Sequence, residues 1–246
     1  MKRIAIIGAS SGLGYGVAEQ MAQMGWTVGI AARRQEPLEQ LRRQYPDNIV
    51  AHQAIDVTQS DAPEKLLALI DEMGGVDTVF LVSGVGKQNP TLEIANDITT
   101  AQTNVVGFIH IINTAYDYFR SSRHKSGHIA VVSSIAGTKG LGIAASYSAT
   151  KRFQNTYIDA VEQLSHMHGV DIKFTDVRPG FVATPLLNSD KKFPMLMSTD
   201  YAVRRIVKAI VKQKRVAVID WRWRMLVGLW RLIPAWMWKR LPVKNG

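Results

Sequence analysis

Seven short runs rich in Val, Ile and Ala recur along the 246-residue chain, separated by longer segments with apolar residues at three- and four-residue spacing. No other feature constrains the fold so strongly, because the two periods belong to strands and helices respectively. The runs are RIAIIG from Arg3, TVGIAA from Thr27, IVAHQA from Ile49, DTVFLVS from Asp77, HIAVVSS from His128, DIKFTDV from Asp171 and RVAVID from Arg215. Helical spacing marks 14–24, 63–73, 97–120 and 147–168. Strands separated by helices pair in parallel and are buried on both faces, which is why they read as continuous apolar runs. The predicted class is α/β, a doubly wound, mostly parallel seven-stranded sheet with helices on both faces. No Pro/Gly/Ser linker interrupts the pattern, so one domain is expected over 1–220, with a short helical extension over 221–246.

Charge separates these two parts. From Tyr201 onward there are 12 Lys and Arg against one acid, Asp220, whereas the first 200 residues hold 18 basic and 19 acidic residues. The body is near neutral and the excess of positive charge is local, which argues against a general nucleic-acid-binding surface. Cysteine is absent, so disulfides and thiolate chemistry are excluded. The start MKRIAIIGAS has too short an apolar run before its glycine for a signal peptide and reads as a first strand.

The first strand runs into IAIIGASSGLGYG, with Gly8, Gly12 and Gly14 spaced G-x-x-x-G-x-G, and a helix follows. Glycines there let the backbone turn tightly and approach a pyrophosphate at the helix N-terminus, whose free N–H groups favour an anion. The second strand ends in AARRQEP. A site for NAD usually places an acid there to bind the ribose 2′-hydroxyl, and this chain has Ala32 followed by Arg33 and Arg34. An arginine fork suits a 2′-phosphate, so NADP is expected over NAD. The segment SYSATK puts Tyr147 and Lys151 four residues apart on one helical face. A neighbouring ammonium favours the phenolate and fits the phenol for proton transfer near neutral pH. Ser134 ends a predicted strand thirteen residues earlier, where its hydroxyl can hold a carbonyl oxygen.

Together these motifs resemble the single-domain short-chain dehydrogenase/reductase family, a Rossmann-type fold, along nearly the whole chain to about Asp220. The resemblance implies that Gly8, Ser10, Ser11, Gly12, Leu13 and Gly14 form the cofactor loop, with Arg33 and Arg34 at the 2′-phosphate. Asp56 and Val57 of IDVT would meet the adenine, and Asn104 of QTNVVG would complete a catalytic tetrad with Ser134, Tyr147 and Lys151. In RPGFVATP, Pro179 and Gly180 would border the cofactor, while Val182 and Thr184 would hold the nicotinamide carboxamide. In the implied mechanism Tyr147 is the acid/base and Ser134 orients the carbonyl. Lys151 binds the nicotinamide ribose and lowers the tyrosine pKa, and Asn104 supports a water in a proton relay. One departure stands out: the family's N-N-A-G is replaced by LVSG, Leu81 to Gly84. Ser83 is then expected to supply part of the missing hydrogen bonding, and Gly84 the close approach to the cofactor. The implied reaction is hydride transfer between NADP(H) and a carbonyl or secondary alcohol. An idle NADP-binding regulator on the same fold is the alternative.

The segment 185–199 falls where the family carries its substrate loop, and Phe193, Met195, Leu196 and Met197 point to a hydrophobic small-molecule substrate. The six histidines show no metal-site spacing, so no metal is expected. Helix 97–120 carries apolar groups nearly all round, which implies burial under the chain's own loops or against a second subunit of a homo-oligomer. The stretch WRWRMLVGLWRLIPAWMWK from Trp221 holds five of the six tryptophans and only positive charges. Pro234 divides it into helices near 222–232 and 234–241, neither long enough to span a bilayer. Packing over the substrate mouth and peripheral membrane contact through 221–241 both stand as expectations, with no nucleic-acid partner. The expected location is cytoplasmic, or peripheral at a membrane surface.

Overall fold

All seven apolar runs form strands in the computed structural model, which describes residues 2–122, 125–187 and 193–243. They are β1 (Arg3–Ile7), β2 (Thr27–Ala32), β3 (Ile49–Ala54), β4 (Thr78–Leu81), β5 (Ser126–Val132), β6 (Asp171–Arg178) and β7 (Val216–Val218). One sheet holds them in the order β3-β2-β1-β4-β5-β6-β7, and every pair is parallel. The order reverses between β1 and β4. A crevice therefore opens beyond the carboxyl ends of those two strands, where such sheets bind ligands.

Helices α1 (Gly12–Gln23), α2 (Glu36–Gln44), α3 (Ala62–Glu72), α4 (Ile94–Ala101), α5 (Gly107–Ser121), α6 (Ala145–Met167) and α7 (Thr199–Val211) alternate with the strands. The two-residue period of β1 divides the core. Ile4 and Ile6 face a layer containing residues of α1, α2 and α7, while Ala5 and Ile7 face one containing residues of α3, α5 and α6. Both layers are apolar, as the unbroken strand runs require.

The expected helix over 97–120 is not uniform. It comprises α4, one π-helical turn over Gln102–Val106, and α5. The wider turn shifts the helical phase and carries Asn104 fully inward, at 0% exposure. Burial in α5 is largely one-sided, with Phe108, Ile111, Ile112, Ala115 and Phe119 facing the core.

The tail divides at Pro234 into α8 (Trp221–Leu232) and α9 (Ala235–Trp238). Asp220 begins α8 with φ at 74°, and its carboxylate accepts from Arg222 N at 2.9 Å. That bond satisfies one of the free N–H groups at the helix start. Strand β7 is shorter than the expected 215–220 because the chain turns at Asp220 into α8.

Candidate active site

At the end of β1 the chain turns through Gly8, whose φ is 110°. A Cβ there would lie 2.6 Å from Ser83 N, and one on Gly14 would lie 2.2 Å from Gly8 O. Only hydrogen fits at either position, so the loop is pressed against the strand ends with its backbone exposed to the crevice. Helix α1 starts at Gly12 with extended Ser11 before it and no acid in its first turn, leaving its positive end available to an anion. Arg34 reaches back to Ser10, its Nη2 lying 3.4 Å from the carbonyl oxygen and 3.3 Å from Oγ. Arg33 is exposed beside it. Farther along, Asp56 accepts from Thr58 N and Oγ1 at 3.0 and 2.8 Å, and buried Val57 lies against Gly107. Thr184 stands over Gly12, its Cβ 3.4 Å from where a side chain on that glycine would begin. This cradle of backbone N–H groups and a nearby guanidinium fits the diphosphate of a dinucleotide.

Ser134 after β5, Tyr147 and Lys151 on α6, and Asn104 in the π-helical turn converge beside that cradle. Ser134 follows β5, where its Oγ accepts from Ala136 N at 3.1 Å. Tyr147 sits in the first turn of α6, packed so near Gly86 that a Cβ there would meet its ring at 2.6 Å. Burial raises the Tyr147 pKa, and the hydroxyl of Ser134, hydrogen-bonded to it, pulls the other way. One helical turn on, Lys151 Nζ lies 5.7 Å from the centre of the Tyr147 ring. Burial brings its pKa down to about 8, against the opposing pull of Asp176. Asn104 braces the segment just beyond LVSG. Its Oδ1 accepts from Val85 N at 3.0 Å and its Nδ2 donates to Val85 O at 2.7 Å, fixing the irregular segment that follows β4. Ser83 donates its backbone N–H to Ile7 O at 3.0 Å, a bond that any residue there would make and not the side-chain replacement expected.

Two groups in this site lie outside the motifs that point to it. Gln154 is buried and bridges Lys151 to Asn104: its Oε1 accepts from Lys151 Nζ at 3.0 Å and its Nε2 donates to Asn104 O at 2.9 Å. The side chain thus ties the Lys151 ammonium to the backbone of Asn104. Lys151 Nζ also donates to Val132 O at 3.0 Å. Beneath them Asp176 is fully buried and accepts from Ser133, Asn155 and Arg178. The sequence signals available were Gln154 three residues after Lys151 on the same face, and two charges, Asp176 and Arg178, two apart in an otherwise buried strand.

A cleft of about 790 Å³ adjoins Ser134, Tyr147 and Lys151, bordered also by Gly84, Pro179, Gly180 and Val182. Its walls include Leu13, Leu141, Phe193 and Met195, and α8 adds Trp223, Leu226 and Trp230. Trp223 is 1% exposed and packs edge-on to Phe181 at 5.6 Å. Trp238 of α9 donates to Gly140 O at 2.7 Å and joins a cluster with Leu141 and Ala144, against which Tyr147 packs. The tail therefore forms one wall of the cleft. Of the substrate segment, 188–192 lie outside the described residues, as do 244–246 of the tail. Among the described residues there is no cluster of His, Asp or Glu able to hold a metal ion, and no helix long and apolar enough to cross a membrane.

A family model described as short chain dehydrogenase matches residues 2–194, and the chain belongs to that family. It is therefore an oxidoreductase of the CH–OH/C=O class. Similar proteins include an uncharacterized oxidoreductase of Mycobacterium tuberculosis, 31% identical, with 97% of this chain and 96% of that protein covered. Another, from Myxococcus xanthus, is 35% identical over 93% of this chain and 91% of its own length. Among solved structures, ElxO with NADP bound superposes with a TM-score of 0.79 at 21% identity, covering 91% of this chain and 99% of that one. At that identity the likeness concerns the fold.

Proposed function

We propose that this protein is an NADPH-dependent reductase of apolar carbonyl compounds. The observation that carries the reading is the convergence of Ser134, Tyr147 and Lys151 on an apolar cleft next to a dinucleotide cradle. Bound in that cradle, NADPH supplies the hydride. The phosphate loop from Gly8 to Gly14, together with Val182 and Thr184, holds the dinucleotide, and Arg33 and Arg34 meet its 2′-phosphate where no acid competes. Ser134 Oγ donates to the substrate carbonyl and fixes it beside the Tyr147 hydroxyl, which gives its proton to the carbonyl oxygen as negative charge develops there. The Lys151 ammonium stabilises the resulting phenolate. Gln154 and Val132 O hold Lys151 at this position, and Asn104 keeps both Gln154 and the segment at Val85 in place. Carbonyls with an aliphatic or aromatic body suit the walls, because a charged body would be desolvated against Phe193, Met195 and Trp223.

The test is a panel of aldehydes and ketones of rising apolar size, followed by nicotinamide absorbance with NADPH and NADH in parallel. Turnover with NADPH preferred at least tenfold, and that preference lost in Arg33→Ala/Arg34→Ala, is the expected result. Equal use of NADH by the unaltered protein overturns the cofactor assignment.

A further inference from the structure

Helix α8 has two apolar faces. Trp223, Leu226, Val227 and Trp230 turn inward. On the opposite side Trp221, Met225, Leu229 and Leu232 stand 67, 60, 60 and 79% exposed, and Trp236 of α9 adds another exposed ring at 61%. With about 100° between successive residues, Arg222 falls on one flank of this outer stripe and Arg224 and Arg231 on the other. Lys239 and Arg240 add two exposed cations beside Trp236. The segment's single acid, Asp220, is bonded to Arg222 at 2.7 Å, so Arg224, Arg231, Lys239 and Arg240 face solvent without an acid from the last 46 residues.

We propose that this outer face docks on an anionic lipid bilayer, with α8 lying in the plane of the headgroups. An apolar stripe flanked by cations is the chemistry of an interfacial helix, and tryptophan favours the headgroup zone. The charge selects the occupant. A second copy of the chain would bring the same positive face against itself. A nucleic acid would need cations at the centre of the contact, where the structure puts Trp, Met and Leu. An anionic bilayer satisfies both parts, since each Lys or Arg near its surface contributes roughly a fivefold gain in binding. The inner face of the same helix lines the cleft, so docking sets that cleft about 10 Å, one helix thickness, from the lipid. Access of lipid-dissolved carbonyl compounds then follows, and this consequence alone rests on the reductase reading.

The test is flotation of the full-length protein with phosphatidylcholine vesicles and with equimolar phosphatidylcholine/phosphatidylglycerol vesicles. The protein is expected to float with the second only, and to be released by high salt. Trp221→Ser/Met225→Ser/Leu229→Ser removes the stripe and keeps the charge, while Arg224→Glu/Arg231→Glu does the reverse. All five positions are exposed, and circular dichroism melting checks that both variants fold. Each is expected to lower the bound fraction about tenfold or more. Quenching of tryptophan fluorescence by bromolipids in the unaltered protein, reduced in Trp221→Phe, reads the same contact directly. The proposal is overturned if the unaltered protein stays with the soluble fraction, or if the stripe variant floats equally well. It is also overturned if light scattering shows a dimer that the stripe variant dissolves, since the face would then be a self-contact. Tyr147→Phe should float normally while losing turnover, so failure of docking and failure of the reductase reading give different results.

Discussion

The indole of Trp223 lies directly on Gly180: a Cβ built on that glycine would fall 2.2 Å from Nε1. Tail and sheet are thus fitted to each other at the floor of the cleft, where Gly180 follows β6. Gly180→Ala must displace Trp223 and the Phe181 ring packed on it. Overpacking of this kind costs about 1–3 kcal/mol, seen as a lower Tm with a changed tryptophan emission spectrum. Trp223 Nε1 is buried with no hydrogen-bond partner among the described residues. Trp223→Phe therefore loses little on the polar side and is expected to be much less destabilising than Trp223→Ala, which costs roughly 3–5 kcal/mol.

Gln154 holds Lys151 and Asn104 with the two ends of one amide. Gln154→Leu preserves the volume and removes both bonds. The expected effect is a fall in kcat of roughly tenfold with KM for the carbonyl little changed, since Gln154 is absent from the cleft wall. Gln154→Glu keeps the acceptor for Lys151 and adds a negative charge, so it is expected to move the alkaline limb of the rate profile to higher pH.

That limb belongs to Lys151, whose pKa is brought down to about 8 by burial. Below that value the ammonium is present and supports proton donation by Tyr147. Above it the charge is lost and the phenolate formed in reduction is no longer stabilised. The kcat/KM for carbonyl reduction is expected to decline as pH rises through about 8. A rate flat to well above that pH contradicts the assignment.

His128 makes stability depend on pH on the acid side. It is buried in β5, with Nε2 2.8 Å from Thr175 Oγ1, and burial lowers its pKa to about 4. Since the unfolded chain binds the proton near 6.5, the unfolded state holds more protons between those values, and stability falls as pH drops through that window. The integrated loss is roughly 3 kcal/mol. Urea melts at several pH values should show it, with a shallower slope in His128→Gln.

Much of the fold was legible because buried parallel strands select β-branched runs, so all seven strands lay where those runs lie. The grouping of Tyr147 with Lys151 was legible because four-residue spacing on a helix is itself a distance. Gln154 was not, since its partner Asn104 is 50 residues away and becomes a neighbour only through tertiary packing. Asp176 and Arg178 lie two apart on β6, but that spacing does not say that the pair sits beneath the site. The inward turn of Asn104 accompanies a π-helical turn, which three- and four-residue spacing does not signal. The tail was ambiguous for a physical reason: with apolar residues on both sides of α8, periodicity could not say which face turned inward.

The central claim is proton delivery by Tyr147 to a carbonyl held in the cleft. Its most direct test is transfer of deuterium from NADPH dideuterated at C4 to an apolar aldehyde, read by mass spectrometry of the alcohol, in the unaltered protein and in Tyr147→Phe. The account predicts one deuterium per alcohol formed and a rate at least about a thousandfold lower in Tyr147→Phe, with NADPH binding retained. Deuterium transfer at an undiminished rate in Tyr147→Phe would contradict it, as would binding of NADPH by both proteins with no transfer across the panel.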